Sequence, residues 1–173
     1  MRPTCCQLAV ARPRIGKPHV LYCIDLYQHR RQTDVPSFEG DVTDAIMAHL
    51  RKTSLVPIIS DFLFASAPDI LKELSRLNAA HDVFLIMADA RFAYQLPKMA
   101  DGWIQTFDVE TGSTRIMSRR EFGRLAGRVE EWQEEILRLA RDADLDIVRV
   151  GLDRWEMEST LAAFVAERRL RKV

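Results

Sequence analysis

Apolar residues recur along this chain in two rhythms, one of helices and one of buried strands. Helical spacing first runs from Pro18 to about Gln32, where Val20, Leu21, Ile24 and Tyr27 follow Gly16 and Pro18. It returns from Asp41 to about Arg51, with Val42, Ala45, Ile46 and Leu50 on one face. Behind a first-turn proline, Pro68, the residues Ile70, Leu71, Leu74 and Leu77 make another apolar face that ends near Ala80. The longest stripe runs from about Arg119 to Ala143 through Phe122, Leu125, Val129, Trp132, Ile136 and Leu139, with charges elsewhere. A closing helix is predicted from Glu156 to about Arg169.

Between these stripes lie short apolar runs. Leu55–Ser60, Asp82–Met87 and Asp146–Val150 predict strands, and the second is continuous enough to be covered on both faces. Trp103–Phe107 and Thr114–Met117 predict a hairpin turning over Val109, Glu110, Thr111 and Gly112. Residues 33–40 and 89–101 read as loop. Strands that alternate with helices imply an α/β domain with a doubly wound, mainly parallel sheet flanked by helices, and the hairpin as a small insertion. The chain reads as a single domain over residues 1–173.

One strand is odd. LVPIIS, residues 55–60, carries a proline and runs directly into Asp61. Proline lacks a ladder donor and belongs on edge strands, so Pro57 predicts an open edge through which the chain could associate with another copy. Asp61, Asp89 and Asp153 each follow a predicted strand within a few residues. Sites in open α/β sheets lie beyond the carboxyl ends of the strands, which makes these three aspartates the candidate chemistry. Asp89 and Asp153 read first as loop and cap residues. Asp61 follows a run too apolar to be a loop and has the position of a ligand for a hard cation, although such an ion needs several oxygen donors.

Composition narrows the function classes. Lys+Arg and Asp+Glu both number 25, so bulk charge argues against a nucleic-acid binder. No apolar run approaches the ~20 residues of a membrane span, and the N-terminal stretch, broken by Arg12 and Pro13, does not read as a signal peptide. Cys5, Cys6 and Cys23 form neither a disulfide framework nor a zinc spacing. A cytoplasmic protein is the expectation. The basic tail Arg168, Arg169, Arg171 and Lys172 reads as a helix end whose cations complement the dipole, with an anion-binding patch as the alternative.

Several motifs in order carry a resemblance. Ser60-Asp61-Phe62 ends one strand, His81-Asp82-Val83 opens the next and leads to Asp89, and Leu96-Pro97 and Asp108-Val109-Glu110-Thr111-Gly112 follow. From about Pro13 onward, this order resembles the "domain of unknown function 58" family, whose members have a von Willebrand factor A-like domain. The resemblance implies that family's fold, but its opening Asp-x-Ser-x-Ser strand is absent here. The chain therefore resembles the C-terminal part of such a protein, lacking the first strands. It also implies a metal-ion-dependent adhesion site, of which Asp61 would be the surviving ligand. The hydroxyl position falls near Asp41, with Thr43 close by in the first helical turn. A degenerate site for magnesium or manganese follows, and no cofactor is expected.

The function implied by the resemblance is a non-enzymatic protein-binding or assembly module that works with a MoxR-type AAA+ ATPase in the maturation of other complexes. Ser60, Asp61, Phe62 and Asp89 would meet the partner. The alternatives are a metal-dependent hydrolase or phosphotransfer enzyme that uses Asp61, Asp89 and Asp153 together, and a non-functional remnant. No glycine-rich phosphate loop, G-x-S-x-G elbow or H-E-x-x-H supports an enzyme.

Overall fold

A computed structural model of the chain describes residues 6–7, 16–28, 37–38, 42–94, 102–107 and 112–171. The chain divides into two compact units, Met1–Ala45 and Ile46–Val173. In the first, β1 (Cys6–Gln7) pairs antiparallel with β2 (Ser37–Phe38), Cys6 opposite Phe38. Two-residue strands are too short to show a period in sequence. The unit also holds α1 (Lys17–Gln28), which starts after Gly16 at φ 106°, where the His19 amide donates back to the Gly16 carbonyl at 3.1 Å. A left-handed φ of this kind suits glycine. The predicted extension of this helix to Gln32 lies outside the described residues. The next helix, α2 (Val42–His49), straddles the boundary between the units.

In the second unit, β3 (Leu55–Ser60), α3 (Ala67–Asn78), β4 (Asp82–Ala88), β5 (Trp103–Phe107), β6 (Thr114–Ser118), α4 (Arg119–Asp142), β7 (Asp146–Val150) and α5 (Arg154–Arg171) follow in order. The three-stranded sheet has the order β3-β4-β7 and is parallel throughout, whereas β5 and β6 form a separate antiparallel ribbon. The α/β class with a parallel sheet, flanking helices and a small hairpin is as the sequence predicts. Among the described strands, β3 pairs with β4 alone. Pro57 therefore sits on the terminal strand of the order, where a residue without an amide proton costs least.

Side chains alternate across the sheet, and the register assigns them to layers. Val56 lies level with Val83, and Ile58 with Leu85 and Ile147, on one face. That face packs on Leu71, Leu74 and Leu77 of α3 and on Ile136, Leu137 and Ala140 of α4, and together they form the core. Phe84 points the other way, where its ring meets Phe164 of α5 with centroids 5.8 Å apart. All but Asp82, Ile86 and Ala88 of β4 are fully buried, as its continuous apolar run predicts.

The basic tail closes α5, with Arg168, Arg169 and Arg171 in the last turn, and one of its arginines does more than complement a helix end. Arg168 is only 6% exposed. It lies over the rings of Phe84 and Phe164 and pairs with Asp82 and Asp146, which begin β4 and β7. Arg171 adds a second contact to Asp146 at 3.1 Å. Two strands that start on aspartate give the arginine its partners, so the cation seals the amino end of the sheet.

Candidate functional site

The carboxyl end of the parallel sheet gathers the three aspartates on successive crossings: Asp61 after β3, Asp89 after β4 and Asp153 after β7. Each is engaged by groups of its own chain. One Asp61 carboxylate oxygen accepts the Leu63 amide at 3.2 Å in an Asx turn. Asp153 accepts the Glu156 amide at 2.9 Å and so caps α5, which starts at Arg154, two residues ahead of the sequence expectation. Asp89 is held most firmly. The Arg91 guanidinium donates to both of its oxygens, Nε at 3.0 and 2.9 Å and Nη2 at 2.6 Å, and the Arg91 amide adds a bond of 2.9 Å. The side-chain bond to Arg91 is the main cause that holds the Asp89 carboxyl below its ordinary range. Partial burial opposes it, and the charges of Arg91 and Arg149 reinforce it. The same pairing raises the guanidinium of Arg91, which Glu130 also approaches at 3.6 Å.

What fixes these loops is a pair of neighbours on α4. Gln133 is 0% exposed. Its amide nitrogen donates to the carbonyls of Asp61 at 3.1 Å and Ala88 at 2.9 Å, and its oxygen accepts the Ala90 amide at 3.2 Å. A single side chain thus satisfies backbone groups at the ends of two strands that sheet pairing leaves open. Beside it, the Trp132 indole donates to the Phe62 carbonyl at 2.7 Å. Phe62 has φ 55°, unusual for a bulky residue, and its amide is held by the Ser60 hydroxyl at 3.0 Å. The Asp89 amide donates to the Val150 carbonyl at 2.8 Å and joins the ends of β4 and β7.

The placement of the sequence-predicted residues follows. Phe62 is 1% exposed and belongs to the core, so its side chain is not free to serve as the expected partner contact; its ring lies 6.3 Å from that of Phe64 and its carbonyl accepts from Trp132. Ser60 serves the backbone of the same turn. Asp61 and Asp89 lie at the predicted end of the sheet. Asp41 lies outside the described residues, and Thr43 belongs to the first unit. Among the described residues, no three His, Cys, Asp or Glu side chains cluster as metal ligands would. The donor set fits a divalent cation poorly in chemistry as well. A cation at Asp89 would face the charges of Arg91 and Arg149, and Asp61 brings a carboxylate already turned toward a backbone amide. His81 is buried with its Nδ1 accepting the Ser54 amide at 3.3 Å, a structural use.

No protein-family model, no curated protein and no solved structure matches the chain. The site must therefore be read from its own geometry.

Sequence reasoning missed Gln133 and three of the four apolar residues that ring the aspartates, Phe92, Leu152 and Trp155. Phe64 lies in the β3–α3 connection, Phe92 in a 3-10 turn over Ala90–Tyr94, Leu152 just after β7 and Trp155 in the first turn of α5. All four are exposed, Leu152 at 67% and Trp155 at 80%. A glutamine within the apolar stripe, one turn from both Val129 and Leu137, was the available signal, because a polar residue at a core position needs partners.

Proposed function

We propose that the chain is a non-enzymatic protein-binding module that presents the carboxyl end of its parallel sheet to a partner, in the manner of von Willebrand factor A-like domains. One observation carries this reading: the aspartates at that end are engaged internally, while large apolar side chains on the same loops are exposed. Catalysis by paired carboxylates needs groups that converge on a reacting atom. Protein contact needs aromatic and arginine anchors on loops held in shape. Trp155, Phe92 and Phe64 supply aromatic anchors, with Leu152 near Trp155 in the chain, and Gln133 and Trp132 hold the loops.

The resemblance names the class of partner, a MoxR-type AAA+ ATPase, and the role, assistance in the maturation of other complexes. In this reading Asp61 and Asp89 form the polar rim around the apolar anchors, and no metal bridges the interface. The test is a calorimetric titration of the chain with a MoxR-type ATPase from the same source. Saturable binding weakened at least tenfold by Trp155→Ala or Phe92→Ala supports the proposal. Binding that both variants leave unchanged would refute the platform. Phosphatase or phosphodiesterase turnover abolished by Asp61→Asn would favour the enzyme instead.

A further inference from the structure

A second surface lies on the β5–β6 ribbon and the first half of α4. The register puts Trp103, Gln105 and Phe107 on the same face as Ser118, Ile116 and Thr114. Ile104, Thr106, Met117 and Arg115 take the other face, where Ile104 and Met117 are half-buried against α4. The outward face is bare: Trp103 is 75% exposed, Phe107 65% and Ile116 68%. Two-stranded ribbons are marginal alone, and a third strand is what usually stabilises them. Among the described residues, β6 pairs with β5 only, which leaves its other edge open.

Along that edge, between β6 and α4, runs a groove of about 720 Å³. Ile116, Met117, Leu125 and Gly127 line it together with the cations Arg115, Arg124 and Arg128. A Cβ on Gly127 would meet nothing within 4 Å, so the groove is open beside it. Two carboxylates, Glu121 and Glu131, share the groove. Glu121 is occupied by the capping box at the start of α4, where it accepts from the Ser118 amide at 2.8 Å and hydroxyl at 2.7 Å. These bonds, more than the charge of Arg124, hold its carboxyl below the ordinary range. No salt bridge engages the guanidinium of Arg115, Arg124 or Arg128 among the described residues. Residues 103–128 contain no lysine, so the cationic groups present planar forks suited to carboxylates.

We propose that this groove docks an extended, acidic segment of another protein, added as a third strand on β6. Strand addition takes its affinity from backbone hydrogen bonds and its specificity from alternate side chains. The alternation fixes the ligand. Residues on the groove side of the added strand would lie beside Arg115 and face Arg124 and Arg128, so they are aspartate or glutamate. Residues on the outer side would extend the surface of Ile116, Phe107 and Trp103, so they are apolar. An acidic–apolar alternation over about five residues, the length of β6, is the recognition pattern. This surface is separate from the platform at the carboxyl end of the sheet, and its test does not depend on it.

The probes are fluorescein-labelled peptides of alternating glutamate and valine, and of alternating lysine and valine, titrated into the whole chain and followed by anisotropy. The glutamate peptide is expected to bind at least tenfold more tightly. N-methylation of its alternate backbone amides should abolish binding on the strand-pairing register. The double variant Arg124→Glu with Arg128→Glu should reverse the preference, and binding of the lysine peptide would show that the variant is folded. If the double reversal does not fold, Arg128→Gln should still weaken the glutamate peptide about threefold. Equal binding of both peptides, a preference that survives charge reversal, or indifference to N-methylation overturns the proposal. Binding to phosphatidylserine vesicles with no peptide preference overturns it as well, in favour of a lipid surface.

Discussion

The two ends of the parallel sheet both carry aspartates, and the chain treats them in opposite ways. At the amino end, Asp82 and Asp146 converge on one buried guanidinium, Arg168, over the rings of Phe84 and Phe164. At the carboxyl end, Asp61 and Asp153 accept backbone amides in exposed turns, and Asp89 pairs with a half-exposed Arg91. Burial makes the difference. An ion pair taken out of water is costly to break from one side, because the remaining charge stays buried, whereas an exposed pair is screened and contributes little. One end is therefore a fastening, and the other is a surface kept in shape.

The largest expected effect is at the fastening. Arg168→Ala takes the shared buried cation from Asp82 and Asp146, of which Asp146 keeps only the half-exposed Arg171, and removes the cover from Phe84. It should destabilise the chain by about 3 kcal/mol, measured by urea unfolding. A loss below about 1 kcal/mol would place Arg168 among ordinary surface charges. At the other end, Gln133→Leu keeps the volume but strands the carbonyls of Asp61 and Ala88 and the amide of Ala90. The expected cost is about 2–3 kcal/mol, accompanied by faster amide exchange at residues 61–66 and 89–92. Unchanged exchange in those loops would mean that Gln133 packs without organising them.

The smallest effect belongs to Asp89→Asn. The pair with Arg91 is partly exposed, so its loss should cost roughly 0.5–1 kcal/mol at neutral pH. The sign of its pH dependence follows from the lowered carboxyl. A group held below its unfolded value of 3.8 contributes fully above that pH and loses its contribution as pH falls through the depressed folded value. The gap between the two proteins should therefore close below about pH 4. A gap that does not narrow at all as pH falls below about 4 would show that packing, not charge, accounts for it.

How much of this was legible in sequence depends on the range of the interaction. The strands Leu55–Ser60 and Asp146–Val150 stood out residue for residue, because short runs rich in valine and isoleucine mark strands, although within the first run Leu55 and Ile59 are exposed and only Val56 is buried. The long α4 was legible through its stripe, but burial in its second half centres on Gln133, Ile136, Leu137 and Ala140 rather than on Trp132 and Leu139. A one-dimensional stripe cannot show that two strand ends lie under one glutamine. The burial of Arg168 was hidden for the same reason: a cation at a helix end looks solvated until the helix is known to cross strands that begin with aspartate. The three aspartates were placed correctly at the carboxyl end, since strand boundaries were enough to do so. Their partners, Arg91 and two backbone amides, came only with the loop geometry.

The claim that the carboxylates at the carboxyl end are engaged by the chain itself is tested most directly by titrating magnesium and manganese into the purified protein by calorimetry, beside Asp61→Ala. The account predicts no saturable heat in either protein at millimolar metal. Saturable binding present in the natural chain and lost in Asp61→Ala would contradict it and would mark a working adhesion-type metal site.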